Sequence, residues 1–280
     1  MIKKRRDFNN CEVLDLFSTN SSIEKLIAVK KDSLIDEGVT FSEYHLKPKY
    51  GAGSIINFEM KSICIIISRF KLKKDLVVYN RSDTDYIQLS FLIEGEKIIS
   101  LDNTDTEIFY ENQESYFVDI DSFQGYSRIP GGKIFKEIKI KLSKSFLLMH
   151  GFTNNIILKK ISDNNIITPI TGELLTTLND LETKNLKGIT KKLYLKAKVF
   201  ELLALQIENY KNVDVKTTKG SKILKKLYKI RQLIKNNLQD SYTTKQLSIE
   251  MALNEHILKK EFKRIFGYSV NKFSTIEKMN

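Results

Sequence analysis

The chain has 280 residues, 41% of them apolar, with 46 Lys and Arg against 34 Asp and Glu. That is apolar material for two domains, or one large one with an appendage, and too much for a disordered chain. The longest apolar runs are Ile63 to Ile67 and Val199 to Ile207, the latter interrupted by Glu201 and Gln206. Both fall short of the about 20 residues that span a bilayer, so no membrane segment is expected. The basic opening Met-Ile-Lys-Lys-Arg-Arg leads into no apolar stretch, so no signal peptide is expected. Cys11 and Cys64 make neither a disulfide framework nor a metal-ligand spacing. A cytoplasmic protein is the expectation.

The charge is unevenly spread. From Lys216 to Asn280 there are fifteen Lys/Arg and five Asp/Glu, whereas the first 215 residues hold 31 and 29. Asp75 to Asp121 carries twelve acids against Arg81 and Lys97. A basic module on a near-neutral body is the electrostatic footprint of a polyanion binder, most often nucleic acid. A soluble chain that is simply rich in Lys is the alternative.

Residues 1–42 read as a helical or irregular segment. Residues 43–145 read as a β-domain: Ser54–Met60, Ile63–Phe70, Leu76–Tyr79, Tyr86–Glu94, Lys97–Leu101, Glu107–Tyr110, Ser115–Ile120, Gln124–Arg128 and Ile134–Leu142 are short Ile/Val/Tyr/Phe-rich segments. Glu94-Gly95-Glu96 and Pro130-Gly131-Gly132 read as hairpin turns. Eight or nine strands at this spacing suggest a sandwich or small barrel. Such a domain has room for an apolar, aromatic-lined pocket without a metal. Strand register is not fixed by one sequence, so no effector-binding residue is named.

Residues 146–212 turn helical, with Thr171–Thr183 and the longer Ile189–Tyr210 as candidates. The second is apolar on more than one face around Val199 to Leu205, wider than one core contact requires. A homodimer through it is expected. Residues 213–220 are polar and read as a linker.

Residues 221–280 carry the sharpest pattern. Ile223, Leu227, Ile230 and Ile234 make one helical stripe. Thr243-Thr244-Lys245-Gln246 is a capping box that opens a short helix with Leu247 and Met251 inside. After Ala252-Leu253, Asn254 can cap a third helix over Glu255–Phe266, with Leu258, Phe262 and Ile265 inward and Gly267 at its C-cap. This is a helix-turn-helix. His256, Lys259, Lys260 and Lys263 recur at helical spacing on the opposite face, where Lys and His can donate to phosphates or to guanine O6 and N7.

These residues resemble a known family. Thr243 to Ser248, Leu253-Asn254-Glu255 and above all Leu258-Lys259-Lys260-Glu261-Phe262-Lys263-Arg264-Ile265-Phe266-Gly267-Tyr268-Ser269 are similar to the first helix-turn-helix of AraC/XylS-type bacterial transcription regulators. The resemblance implies base contacts from His256, Lys259 and Lys260, with Lys263 near the backbone. Thr244 and Lys245, at the start of the preceding helix, complete the expected DNA-contacting set. Ser248 stands where the family has Ala, Ala252 where it has a turn Gly and Asn254 where it has Ser; all are small or able to cap. The family's reader has two such units joined by a long helix. Val270–Asn280 resembles the start of that helix, and a second unit is not within these 280 residues. DNA binding by one unit is therefore expected to be weak.

Upstream, Lys47 to Gly53 and Tyr194 to Gln206 resemble the PchR-like subgroup. That resemblance implies an α+β chain with a cupin-like sensing domain, a helical dimerisation segment, and a small-molecule effector such as a siderophore. The expectation is a DNA-binding regulator. The alternative is a ligand-binding or sequestering protein whose incomplete reader no longer contacts DNA.

Enzymatic readings fare worse. A metal-dependent cupin needs converging His and carboxylate ligands, and the chain has only His45, His150 and His256. Gly51-Ala52-Gly53 does not extend to a dinucleotide-binding loop and reads as an ordinary loop. Asp102, Asp105 and Glu107 read as a solvated turn, and Cys64 as core. No catalytic residue, metal or cofactor is expected.

Overall fold

The computed structural model describes residues 11–19, 22–82, 86–102, 107–152, 159–161, 163, 166–215, 220–236, 242–266 and 268–279. They fall into two compact units, one up to Gln206 and one from Ile207. Among the described residues no helix is long and apolar enough to cross a membrane.

The first unit opens with β1 (Glu12–Asp15), α1 (Leu16–Thr19) and α2 (Ile23–Ile27). A meander follows: β2 (Ala28–Asp36), β3 (Val39–Leu46), β4 (Gly51–Met60) and β5 (Ile63–Leu72). Then come β6 (Leu76–Ser82), β7 (Tyr86–Glu94), β8 (Glu96–Leu101), β9 (Glu107–Glu111), β10 (Glu114–Ile120), β11 (Phe123–Ile129) and β12 (Ile134–Ser143). After α3 (Lys144–Met149), the short β13 (Lys159–Lys160) and β14 (Ile167–Pro169) lead to α4 (Gly172–Thr183) and α5 (Gly188–Val215), whose residues from Ile207 on count with the second unit.

The strands form two sheets. One has the order β1-β6-β11-β8-β9, and the other runs β13-β10-β7-β12-β5-β4-β3-β2 with β14 also on β10. Side chains of both fill one core, among them Ile55, Phe70, Tyr116 and Phe135 of the larger sheet and Leu76, Val78, Ile99 and Ile129 of the smaller. The architecture is a two-sheet sandwich.

β12 shows how the layers are set. Ile138, Ile140 and Leu142 are fully buried and alternate with Glu137, Lys139 and Lys141. Ile138 is in register with Ile67, and Ile67 with Ile56. Ile56 and Ile67 share a crevice with Leu181 of α4 and Leu195 of α5, so this face of the sheet is covered by helices. The charged alternates therefore point into the sandwich. Thr171 caps α4 by accepting from the Leu174 amide at 3.3 Å. Buried Gln206 of α5 donates to Ser115 Oγ of β10 (3.1 Å) and Thr168 Oγ1 of β14 (3.0 Å), fastening the helix to the larger sheet.

Four local expectations change. Residues 1–42 contain β1, β2 and the first half of its hairpin partner, β3. β2 is an edge strand exposed along almost its whole length, so it carries no alternation to read. Gly95 and Pro130-Gly131-Gly132 join strands of different sheets, β7 to β8 and β11 to β12, and are corners instead of hairpins. Gly51 and Gly53 belong to β4. Both have positive φ (153° and 127°), and a Cβ on either would collide with the β5 carbonyl oxygens of Lys71 and Arg69. The expected linker at 213–220 overlaps helix at both ends, since α5 reaches Val215 and the next helix starts at Gly220; residues 216–219 lie outside the described residues.

The second unit contains α6 (Gly220–Asn236), α7 (Thr244–Glu250), α8 (Glu255–Phe266) and α9 (Val270–Met279). Leu227, Ile230 and Ile234 of α6 meet Leu247, Leu258, Phe262, Ile265, Phe266, Val270 and Phe273 in one core. The capping box forms: Thr243 Oγ1 accepts from the Gln246 amide (3.2 Å), and Gln246 Oε1 from the Thr243 amide (2.8 Å). Asn254 Oδ1 accepts from the His256 amide at 2.9 Å. Between the helices, Ala252 takes a left-handed φ of 46°. The expected cap Gly267 lies outside the described residues.

Candidate functional site

Two features stand out, one on each unit. On the second, burial of Leu258, Phe262 and Ile265 fixes the rotation of α8. It leaves His256, Lys259, Lys260 and Lys263 exposed on the opposite side. Lys259 Nζ pairs with Glu255 Oε1 at 2.7 Å, one helical turn back. Lys245 of α7 is exposed too. Thr244 departs from expectation: it is 9% exposed and its hydroxyl donates to Asn271 Oδ1 at 3.3 Å. As the first residue of α7 it sits where the helix packs, so its side chain serves the fold. The exposed set is a row of cationic and donor groups on a rigid helix, chemistry suited to phosphates and base edges.

On the first unit, the sandwich holds a cavity of about 660 Å³ that opens to solvent. Much of its wall is apolar, with Ile55, Ile66, Ile99, Ile129 and Phe123 among its residues. Tyr86 and Tyr116 add aromatic rings with hydroxyls, and Gln88 donates to Tyr116 Oη at 2.6 Å. The expected aromatic pocket exists, but its wall also carries Lys97, Lys139, Lys141 and Arg81, which sequence reasoning missed.

Two of these lysines, Lys97 and Lys139, flank one carboxylate, Glu137. Lys97, on β8 of the smaller sheet, reaches across to Glu137 on β12, Nζ to Oε1 3.3 Å, with the two side chains 6% and 2% exposed. Lys139 Nζ lies 3.2 Å from Glu137 Oε2. Ser90 Oγ donates to Glu137 Oε1 at 2.9 Å and accepts from Tyr110 Oη at 3.0 Å. Burial pushes the Glu137 carboxyl up, but Lys139, Lys97 and the Ser90 hydrogen bond outweigh it and hold it below its usual range. Burial pulls Lys97 down to about 8, only partly offset by Glu137. Burial also pulls at Lys139, but Glu137 leaves it raised. Lys141 is lowered by burial and by neighbouring Lys139.

The three histidines stand on separate elements. His45 pairs with Glu43 at 2.9 Å, His150 packs against the rings of Phe146 and Phe200, and His256 is on α8. Among the described residues no three His, Cys, Asp or Glu are grouped to hold a metal. Cys64, expected in the core, is half-buried, its thiol pushed up to about 11 by burial. Asp102 accepts from Tyr79 Oη at 3.1 Å and Glu107 from Ser100 Oγ at 3.3 Å; Asp105 lies outside the described residues.

Residues 60–221 match the profile of the family described as regulatory protein PchR N-terminal domain. No curated protein matches the chain. Among solved structures, a point variant of apo ToxT from Vibrio cholerae is similar at 9% identity and a TM-score of 0.40, over 75% of this chain and 97% of that one. The AraC-like transcriptional activator CuxR is similar at 11% identity and a TM-score of 0.38, over 85% and 80%. Wild-type ToxT with a bound unsaturated fatty acid is similar at 12% identity and a TM-score of 0.37, over 78% of each.

Proposed function

The chain belongs to the family of the regulatory protein PchR N-terminal domain, a family of regulators and not of enzymes, and on that premise we propose a ligand-responsive, DNA-binding transcription regulator. In this reading α8 enters the major groove and the sandwich cavity receives a small-molecule effector, a siderophore being one candidate. The observation that carries it is the α8 face: His256, Lys259, Lys260 and Lys263 exposed on one side, with Leu258 and Phe262 fully buried on the other. Lys245 lies at the start of the neighbouring helix and adds a phosphate contact. Together with a cytoplasmic location, this assigns the C-terminal charge a polyanion to meet.

The reading extends to a homodimer through α5. Ile189, Leu193 and Ala197 are exposed at successive turns of that helix, and Leu148 and Met149 of α3 are exposed as well. Light scattering at tens of micromolar tests this, and a clean monomer overturns it.

Anisotropy titrations with DNA from upstream of the protein's own gene test the DNA reading. The wild type binds with an affinity that falls steeply with salt. A Lys259→Ala, Lys260→Ala, Lys263→Ala triple variant, still folded by circular dichroism, loses at least tenfold. Unchanged affinity in that variant makes the stripe a solvated face and removes the reading.

A further inference from the structure

Resting on the reading of the cavity as an effector site, we propose that the effector is an organic acid. Its anionic head group sits among Lys97, Lys139 and Lys141, and its apolar body lies against the isoleucines of the two sheets.

Three observations converge. The first is the balance of charge in the wall. Lys97 from β8, Lys139 and Lys141 from β12 and Arg81 from β6 face the cavity, and among the described lining residues Glu24 of α2 is the only acid. Glu137 lies beneath the wall and is already shared by Lys97 and Lys139, with Ser90 on the same oxygen as Lys97. The second is Lys141 itself. Among the described residues no carboxylate is in ion-pair contact with it, and its ammonium lies 4.8 Å from the Tyr86 ring centroid. Glu24, the acid on α2, accepts from Asn57 Nδ2 at 3.4 Å and favours the Lys141 charge through space without an ion-pair contact, too little to offset burial. The third is the separation of surfaces, since Ile55, Ile66, Ile99 and Ile129 offer an apolar seat beside the lysines.

A cation withdrawn from water without a counter-charge is costly, and an anion delivered to it removes that cost. A neutral ligand of the same shape leaves the cost in place, and a cationic one adds to it. The cavity volume of about 660 Å³ falls within the range of roughly 300–1,000 Å³ that encloses drug-sized molecules.

The test uses the full chain and two fluorescent pairs that differ only in the head group: 1-pyrenebutyrate with 1-pyrenebutanol, and 2-naphthoate with 2-naphthylmethanol. At pH 7 each acid is expected to bind at least tenfold more tightly than its alcohol. Lys141→Met is expected to abolish that preference. Acids and alcohols binding equally, or a preference that survives Lys141→Met, overturns the head-group assignment and leaves the cavity as a ligand site. Binding of neither member of either pair overturns the ligand site as well. The melting temperature of ligand-free Lys141→Met is a second measure. Unchanged or raised, it agrees with removal of a cation that has no ion pair; a clear fall shows Lys141 already compensated and overturns the proposal.

Discussion

The molecule uses lysine in two opposite ways. On α8, Lys259, Lys260 and Lys263 stand in water, and the one ion pair among them, Lys259 with Glu255, has both side chains well exposed at 61% and 40%. Inside the sandwich, Lys97 and Lys139 share Glu137 at almost no exposure of the carboxylate. In water a charge costs little to keep and its local pair contributes little. Away from water the same charge must be compensated by named neighbours, and removing one leaves the others stranded. The exposed lysines suit a large, exchangeable polyanion; the buried ones suit a ligand that fits.

The sharpest break in this comparison is Glu137→Gln. It leaves Lys97 and Lys139 without their shared counter-charge, and about 3–5 kcal/mol of unfolding free energy should be lost in urea denaturation. A change below about 1 kcal/mol would show that the lysines find water or each other tolerable. Next comes the outer set. If α8 reads DNA, Lys260→Ala costs roughly 1–3 kcal/mol on the preferred site and less on random DNA. Lys263→Ala instead weakens all sequences alike and lowers the salt slope by about one. Equal behaviour of the two variants would erase the division between base and backbone contacts.

The buried set should also respond to pH. Lys97 is faced by Glu137 and Lys139 of β12, with Ser90, Tyr110 and Tyr116 of β7, β9 and β10 around the same carboxylate. Its folded value of about 8 lies below the ordinary 10.5, so between these values the unfolded chain holds more protons than the folded one. This group therefore makes stability rise with pH through that window. Over the same window the cavity loses a cation, and pyrenebutyrate affinity should fall several-fold while pyrenebutanol affinity stays level. A flat acid profile between pH 7 and 10 would place Lys97 outside the head-group seat.

Smaller effects come from the second unit. Ala252 holds a left-handed φ of 46°, which glycine adopts without Cβ strain, so Ala252→Gly should stabilise by about 0.5–1 kcal/mol. Glu255→Gln, which removes the exposed partner of Lys259, should change stability by less than about 0.5 kcal/mol. That last value, set against Glu137→Gln, measures the comparison directly.

The strands from Tyr86–Glu94 to β12 were legible because alternation and turn residues are local signals, and so were the caps at Thr243 and Asn254. The sidedness of β12 was not. Its alternation is plain, but alternation alone does not say what each row of side chains faces. Only the distant helices α4 and α5, by covering Ile138 and its row, turn Lys139 and Lys141 inward. The signal that could have found Lys97 was its isolation, one of two bases among twelve acids from Asp75 to Asp121. Most of the α8 stripe was readable, because a single amphipathic helix carries its own inside and outside. Thr244 was not, because its burial depends on packing beside Asn271 of α9.

The place of β12 in the sheet also bears on how the chain is made. β2 to β5 pair in sequence order as they are synthesised, and β7 pairs with β10 soon after. Only β12 joins these two blocks, by lying between β5 and β7. Until the ribosome has delivered residues 134–143, β5 and β7 are both open edges, and β5 carries the run Ile63-Cys64-Ile65-Ile66-Ile67. Unpaired, Ile-rich edges are templates for association with other chains. A nascent chain stalled before β12 would therefore be the most aggregation-prone form of this protein, and chaperone demand should peak over that stretch of translation.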